Sequence, residues 1–370
     1  MFQLINGPQT LGSTRVFWLP FMAVLAAVLL YPAFADAYDV GNMAYLLTWV
    51  FMAMGLCLVW GYGGMLSFGQ TLFFGIAGYG YGVLAINLGG EAGTTFLALL
   101  GALALAALAA AVLGYFMIWG RVGGVFFGIV TLSATLVLAF FLGQTAGPEW
   151  HIGSARLNGF NGMKDMAPLN LPLPGGEALY FDGMALYYLV VGLILVVYLG
   201  LRMLLNSRFG NVVVAVREDP QRAELLGYDV RKYQLATFVI GSALAGLSGV
   251  LYTSWGQFIT PASIGLPAAA MPIVWVAFSG RGDITATLVG SFLVLWAFQT
   301  ITVYSQQAAL LLMGAMLLCT VMVAPQGFVI GVVQAVRRLF ARRTGAAVGT
   351  VGAAPPAVPP VVQDAHEARA

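Results

Sequence analysis

AVREDPQRAELLGYDVRKY, residues 215–233, carries Arg217, Glu218, Asp219, Arg222, Glu224, Asp229, Arg231 and Lys232 in a chain of which only 8% is charged. Apolar runs at 184–204 and 234–257 flank it, so it is a polar loop between two stretches long enough to cross a bilayer. Asp219 has the short acceptor side chain of an N-cap, Pro220 suits the first helical position and Gly227 the position just past the end. Together they predict a two-turn helix over 220–226, about 10 Å long. A plain solvated linker is one reading of it. Ala223, Leu225 and Leu226, which give the helix an apolar side beside Arg222 and Glu224, support the other, a surface that docks into a groove on a partner.

The rest of the chain supplies the frame. Of its 370 residues 60% are apolar, with 47 glycines, and the mean hydropathy of +0.90 lies far above that of soluble domains. Windows of membrane-spanning length fall near 16–34, 42–60, 65–88, 95–119, 123–143, 184–204, 234–257, 267–280, 284–304 and 308–325. Lipid offers no partner to loose backbone amides, so these must be helices or pieces of helix packed on others. The expectation is an all-α polytopic bundle of about ten spans over residues 1–343, with a loop at 205–232, an outer segment at 144–183 and a disordered Ala/Pro/Gly-rich tail at 344–370.

Basic residues collect on the cytoplasmic side of membrane proteins. An even number of spans with both termini cytoplasmic gathers Arg15, Arg121, Arg202 through Lys232, Arg281 and Arg337 through Arg343 on that side, leaving Arg156 and Lys164 outside. At the start, the run after Arg15 followed by AFADA at 33–37 fits a membrane anchor or a signal sequence.

All 30 formally charged residues lie outside or at the edges of these spans, which argues against a proton relay through the membrane. Sodium coupling through backbone carbonyls stays open. Lys164 and Lys232 follow Met163 and Arg231, so no Gly-Lys-Ser/Thr phosphate loop exists and the chain has no ATPase site of its own. Cys57 and Cys319 fall in apolar runs and read as small hydrophobes. His151 has no nearby histidine, no metal or cofactor cluster appears, and no Ser/His/Asp or paired-carboxylate group marks an enzyme. A transport pore without fuel, carrying a docking helix, calls for a separate ATPase subunit.

GYGGMLSFGQTLFFGIAGYGYG at 61–82 has glycines too dense for an undisturbed helix. Close packing of Gly78 and Gly82 on a neighbour is one reading. An interrupted helix, whose freed backbone lines the route with Ser67, Gly69, Gln70 and Thr71, is the other. Pro261, Pro267 and Pro272 leave 258–280 as either a bent full span or a partly re-entrant piece. The outer segment offers Asn158, Asn161, Gly162, Lys164 and Asp165 as docking candidates for an extracytoplasmic protein, against the plainer reading of NGFNG as a surface turn.

NSRFGNVVVAVREDPQRAELLGYDVRKY resembles the cytoplasmic loop of permeases from ABC importers of branched-chain amino acids and of urea or short amides. The stretch at 61–82, GFNGMKD at 159–165, ALAGLSGVLY at 243–252, VWVAFSGRGD at 274–283 and APQGFVIG at 324–331 are similar to motifs of that family in the same order, covering most of 40–331. The resemblance implies a multi-pass protein of the bacterial inner membrane that pairs with a second homologous permease, two cytoplasmic ATP-binding subunits and an extracytoplasmic solute-binding protein, and binds no nucleic acid. The short helix would be the coupling helix, with Arg217, Glu218, Asp219, Arg222, Ala223, Glu224 and Gly227 contacting the ATPase and Gln221 and Leu225 less constrained. A pathway without buried charge suits neutral or zwitterionic solutes. An ion-coupled secondary transporter or channel for a small neutral solute is the alternative function.

Overall fold

The computed structural model describes residues 6–7, 10–11, 17–89, 93–172, 178–324 and 327–331. The arginine pairs at 337–338 and 342–343 and the tail lie outside the described residues. The described chain is a helical bundle: α1 (Trp18–Leu30), α2 (Ala37–Leu56), α3 (Gln70–Asn87), α4 (Thr94–Trp119), α5 (Val125–Gly143), α6 (Gly183–Leu205), α7 (Arg208–Glu218), α8 (Pro220–Leu225), α9 (Val230–Gly256), α10 (Leu266–Ser279), α11 (Ile284–Tyr304) and α12 (Gln306–Val323). A π-helical stretch, Cys57–Tyr62, continues α2.

Seven of these helical stretches are long and apolar enough to cross a membrane: Ala37–Tyr62, α4, α5, α6, α9, Pro261–Ser279 and α11. Trp18–Ala33 and Gln306–Thr320 are shorter apolar helices, and the glycine-rich α3 belongs to neither group. The expected count of about ten is thus met by length and composition for seven. Pro261–Ser279 is long enough for a full crossing, with Pro272 inside α10.

The core lies around α2 and α9. Of the apolar window of Ala37–Tyr62, 72% is buried, against 22% for α4. α4 turns Leu97, Leu100, Leu108 and Phe116 outward, as a lipid-facing helix does. α9 packs on α2, α3 and α4 through small residues. A Cβ at Gly249 would stand 2.1 Å from the Phe74 carbonyl, one at Gly241 2.6 Å from that of Gly55, and one at Gly246 3.0 Å from Ala106. Such close approach gives dispersion contact where lipid supplies no hydrophobic drive.

Helix starts differ along the chain. α3, α4 and α5 begin at Gly69, Gly93 and Gly124 without a side-chain cap. In contrast α7, α8, α9, α11 and α12 begin at Ser207, Asp219, Asp229, Asp283 and Ser305, each accepting from a first-turn amide.

One end of the bundle, the charged end, carries Arg121, α7, α8 and Arg281. The other, the loop end, is trimmed by short strands: β1 (His151–Ile152) with β2 (Ala155–Arg156), β3 (Met163–Lys164) with β6 (Phe258–Ile259), and β4 (Asn170–Pro172) with β5 (Ala178–Tyr180), all antiparallel. Asn87, the last residue of α3, fastens the first hairpin by donating to Ile152 O and accepting from Ser154 N, both at 2.8 Å.

Candidate functional site

The predicted two-turn helix is present as α8. Asp219 accepts from Arg222 N at 3.0 Å, and Pro220 occupies the first position. At the far end Gly227, with φ +88°, lets Tyr228 N donate to Ala223 O and Gly227 N to Glu224 O, the paired closure of a Schellman ending. Ala223 is buried against Val212, Val216 and Val230, so it anchors α8 on α7. This corrects the apolar side read from the sequence: Leu225 and Leu226 are 89% and 70% exposed, whereas Ala223 is buried. Gln221, Arg222, Glu224 and Gly227 are exposed with them.

Arg217 is exposed like Arg222 and Glu224 but also reaches across the fold. Its Nη1 donates to Gly61 O at 2.5 Å, its Nε to Glu218 Oε1 at 3.0 Å, and its stem lies over Gly64. The Gly61 carbonyl belongs to the last turn before the backbone leaves the helix. There Gly63 N bonds to Leu58 O, Met65 N to Val59 O and Gly64 N to Trp60 O. A helix end leaves its last carbonyls without intrahelical donors, and Arg217 supplies the donor for Gly61. Gly61 is also pressed on the α10–α11 connection, since a Cβ there would fall 1.8 Å from Arg281 O. The Arg281 guanidinium lies 5.3 Å over the Trp60 ring.

From Gly63 to Gly69 the chain is non-helical, so the glycine-rich stretch is interrupted in its first part and continues as helix in its second. The freed amides are taken by side chains: Phe68 N donates to Thr131 Oγ1 and Gly69 N to Ser67 Oγ, both at 3.1 Å, while Thr135 Oγ1 donates to Phe68 O at 3.5 Å. Thr131 and Thr135 on α5 were not singled out by sequence, although two hydroxyls at i and i+4 in an apolar span mark a polar face. Of the pathway candidates, Ser67 and Gly69 build this break, Thr71 makes a long contact to Ile264 O at 3.4 Å, and Gln70 is buried with neither amide atom hydrogen-bonded. Gly75, Gly78 and Gly82 sit inside the continuous α3, against Ile264, Ile259 with Thr253, and Met163 with Met166.

At the loop end Asn158 and Gly159 are left-handed and Gly162, at φ +77°, is buried. A Cβ at Gly162 would meet Ile259 O at 2.4 Å, so this residue keys the β3–β6 pairing. Asn161, Lys164 and Asp165 are exposed, and Asn158 is half-buried.

One expectation needs correction. Arg202 is fully buried within α6 rather than part of a solvated cytoplasmic cluster, and its Nη1 donates to Leu11 O at 2.9 Å and to Tyr198 Oη at 2.8 Å. The rings of Phe17 and Trp18 lie within 5.4 Å of its guanidinium. Asp283, also buried, caps α11 through Thr285 N and Ala286 N and accepts from Leu11 N. Burial pushes the Asp283 carboxyl above its ordinary range, against the pull of those amides and of Arg202. Burial of both groups is tolerated because hydrogen-bond partners surround each of them. Cys57 is buried as expected, but Cys319 is exposed on α12. Among the described residues no group of three or more His, Cys, Asp or Glu could hold a metal ion.

Comparison with known proteins places this architecture. The family model described as branched-chain amino acid transport system / permease component matches residues 40–321. The chain is 24% identical over 347 residues to the high-affinity branched-chain amino acid transport system permease protein LivM of Escherichia coli, covering 87% of this chain and 78% of that one. It is 28% identical over 179 residues to the probable branched-chain amino acid transport permease protein LivM of Methanocaldococcus jannaschii, covering 42% and 52%. To the probable LivH permease of the same organism it is 26% identical over 207 residues, covering 54% and 63%. No solved structure matches. The matched region holds the central α2–α9 packing, the break at 63–69 and the capped loop helix, and the chain belongs to the branched-chain amino acid transport system permease family, as a transport subunit without an ATPase site of its own.

Proposed function

We propose that the chain forms half of the translocation pathway of an ABC importer and is driven by separate ATP-binding subunits that grip α8. The observation that carries this reading is the capped, rigid α8, which holds Arg222, Glu224, Leu225 and Leu226 outward at the charged end while Ala223 roots it. In this reading ten passes weave with both termini cytoplasmic in a bacterial inner membrane, and α1 is an anchor. A second homologous permease completes the pathway, and Asn161, Lys164 and Asp165 face the solute-binding protein. The family and its relatives' names favour leucine, isoleucine and valine over urea or short amides.

The test is an exchange of charge on α8. The double variant Arg222→Glu, Glu224→Arg is expected to accumulate in the membrane normally and to lose stimulation of the ATP-binding subunits, because both side chains are exposed. Normal ATP-driven leucine uptake by that variant would remove α8 from the mechanism. Uptake that survives ATP depletion and collapses with an ion gradient would favour the ion-coupled alternative, for which the buried Asp283 and Arg202 are the residues to examine.

A further inference from the structure

The loop and the broken helix meet at one side chain. Arg217, the next-to-last residue of α7 and two residues before the Asp219 cap, is exposed, yet its Nη1 reaches across the fold to Gly61 while its Nε stays on Glu218. It reaches Gly61 O with a charge-assisted bond, a class worth more than an ordinary amide bond. The acceptor is a carbonyl at a helix C-terminus, where the partial negative charge of the helix dipole favours a cation. A π-helical ending is a less regular hydrogen-bonding arrangement than an α-helix and recurs at functional sites. The same ending is pinned on its other side by the Arg281 carbonyl and by the Arg281–Trp60 contact. Beside the joint a cavity of about 170 Å³ is lined by Gly63, Gly64, Val122, Gly124, Arg217 and Pro220, among others. Two glycine pairs, 63–64 and 123–124, therefore border free space next to Arg217.

We propose that Arg217 is a positioning residue for transport: it transmits displacement of α8 to the 57–69 segment and so to the start of α3, and it is not itself a grip for the ATPase. This deepens the functional reading above and rests on it. When α8 is displaced, α7 moves with it through the Val212, Val216 and Ala223 contact. Arg217 then carries the Gly61 end with it, and the cavity supplies the room. Gly63 to Gly69, non-helical and with Phe68 and Gly69 held by hydroxyl groups instead of a helical ladder, is the part that yields.

The test compares Arg217→Gln and Arg217→Lys with the charge exchange at 222 and 224 in the reconstituted importer, reading membrane accumulation, co-purification of the ATP-binding subunit, ATP hydrolysis and uptake. For Arg217→Gln, co-purification and hydrolysis are expected within about twofold of wild type while solute moved per ATP falls about tenfold, the size set by one charge-assisted bond. Arg217→Lys keeps the cation and the aliphatic stem, and is expected to recover part of the ratio. It also serves as the reading should Arg217→Gln accumulate poorly. Parallel loss of co-purification and hydrolysis in the Arg217 variants would make Arg217 an ATPase contact and overturn the proposal, as would an unchanged ratio. The 222 and 224 exchange is read separately: if it leaves co-purification and hydrolysis intact, the grip on α8 is what fails.

Discussion

Residues 61–69 and 75–82 are one glycine-rich stretch used in two ways. In the first, the backbone leaves the helix and its polar groups are taken up by Ser67, Thr131, Thr135 and Arg217. In the second, α3 runs unbroken and Gly75, Gly78 and Gly82 admit Ile264, Ile259 and Met163 at distances a side chain would forbid. Glycine density therefore reports close approach in both halves. What separates break from packing is whether side chains from other elements stand ready to accept and donate for the freed backbone.

The largest effect expected from this contrast lies in the packed half. Gly249→Val drives a side chain into the Phe74 backbone, which has no flexible end to yield. It is expected to cost more than about 3 kcal/mol, the upper range for overpacking, so that folded protein scarcely accumulates in the membrane. Near-normal accumulation would show that α3 and α9 are less tightly joined than described. In the broken half the balance reverses. Gly69→Leu meets Thr131 Cβ at 3.0 Å and Ser67 Oγ at 3.4 Å, contacts that a non-helical segment can relax. Uptake is expected to fall at least about tenfold with a smaller loss of accumulation, a difference read as transport free energy and not as folding. Equal loss of both would return Gly69 to packing alone. The smallest effect is Thr131→Val, which leaves Phe68 N–H without its acceptor at an expected cost of about 1–3 kcal/mol. A lowered melting temperature with uptake otherwise retained checks it, and an unchanged one would mean that another acceptor replaces the hydroxyl.

Much of the loop at 205–232 was legible in the sequence because its punctuation is local: an Asp cap, a proline at the first position and a glycine at the end each act within a few residues. Facing is not local. That Ala223 turns inward while Leu225 and Leu226 turn outward depends on Val212, Val216 and Val230, and a six-residue helix has too few turns for periodicity to reveal it. Arg217 was read with its charged neighbours for the same reason, since only the fold brings Gly61, 156 residues away, into its reach. Arg202 was read as solvated because it stands near the end of an apolar run. Its burial follows from Leu11, Phe17 and Trp18 arriving from the far end of the sequence. Seven of the expected spans were readable from apolar length. The glycine-rich α3 was placed in the sequence as an apolar window at 65–88, but the helix starts only at Gln70 and falls outside both groups of apolar helices.

The account turns on α8 facing the compartment of the ATP-binding subunits. Glu224→Cys in a chain carrying Cys319→Ser, with the remaining Cys57 buried, gives a single reactive thiol for a membrane-impermeant reagent. Labelling in inside-out vesicles, blocked when the ATP-binding subunit is bound, is the predicted result. Labelling only in right-side-out vesicles would contradict it.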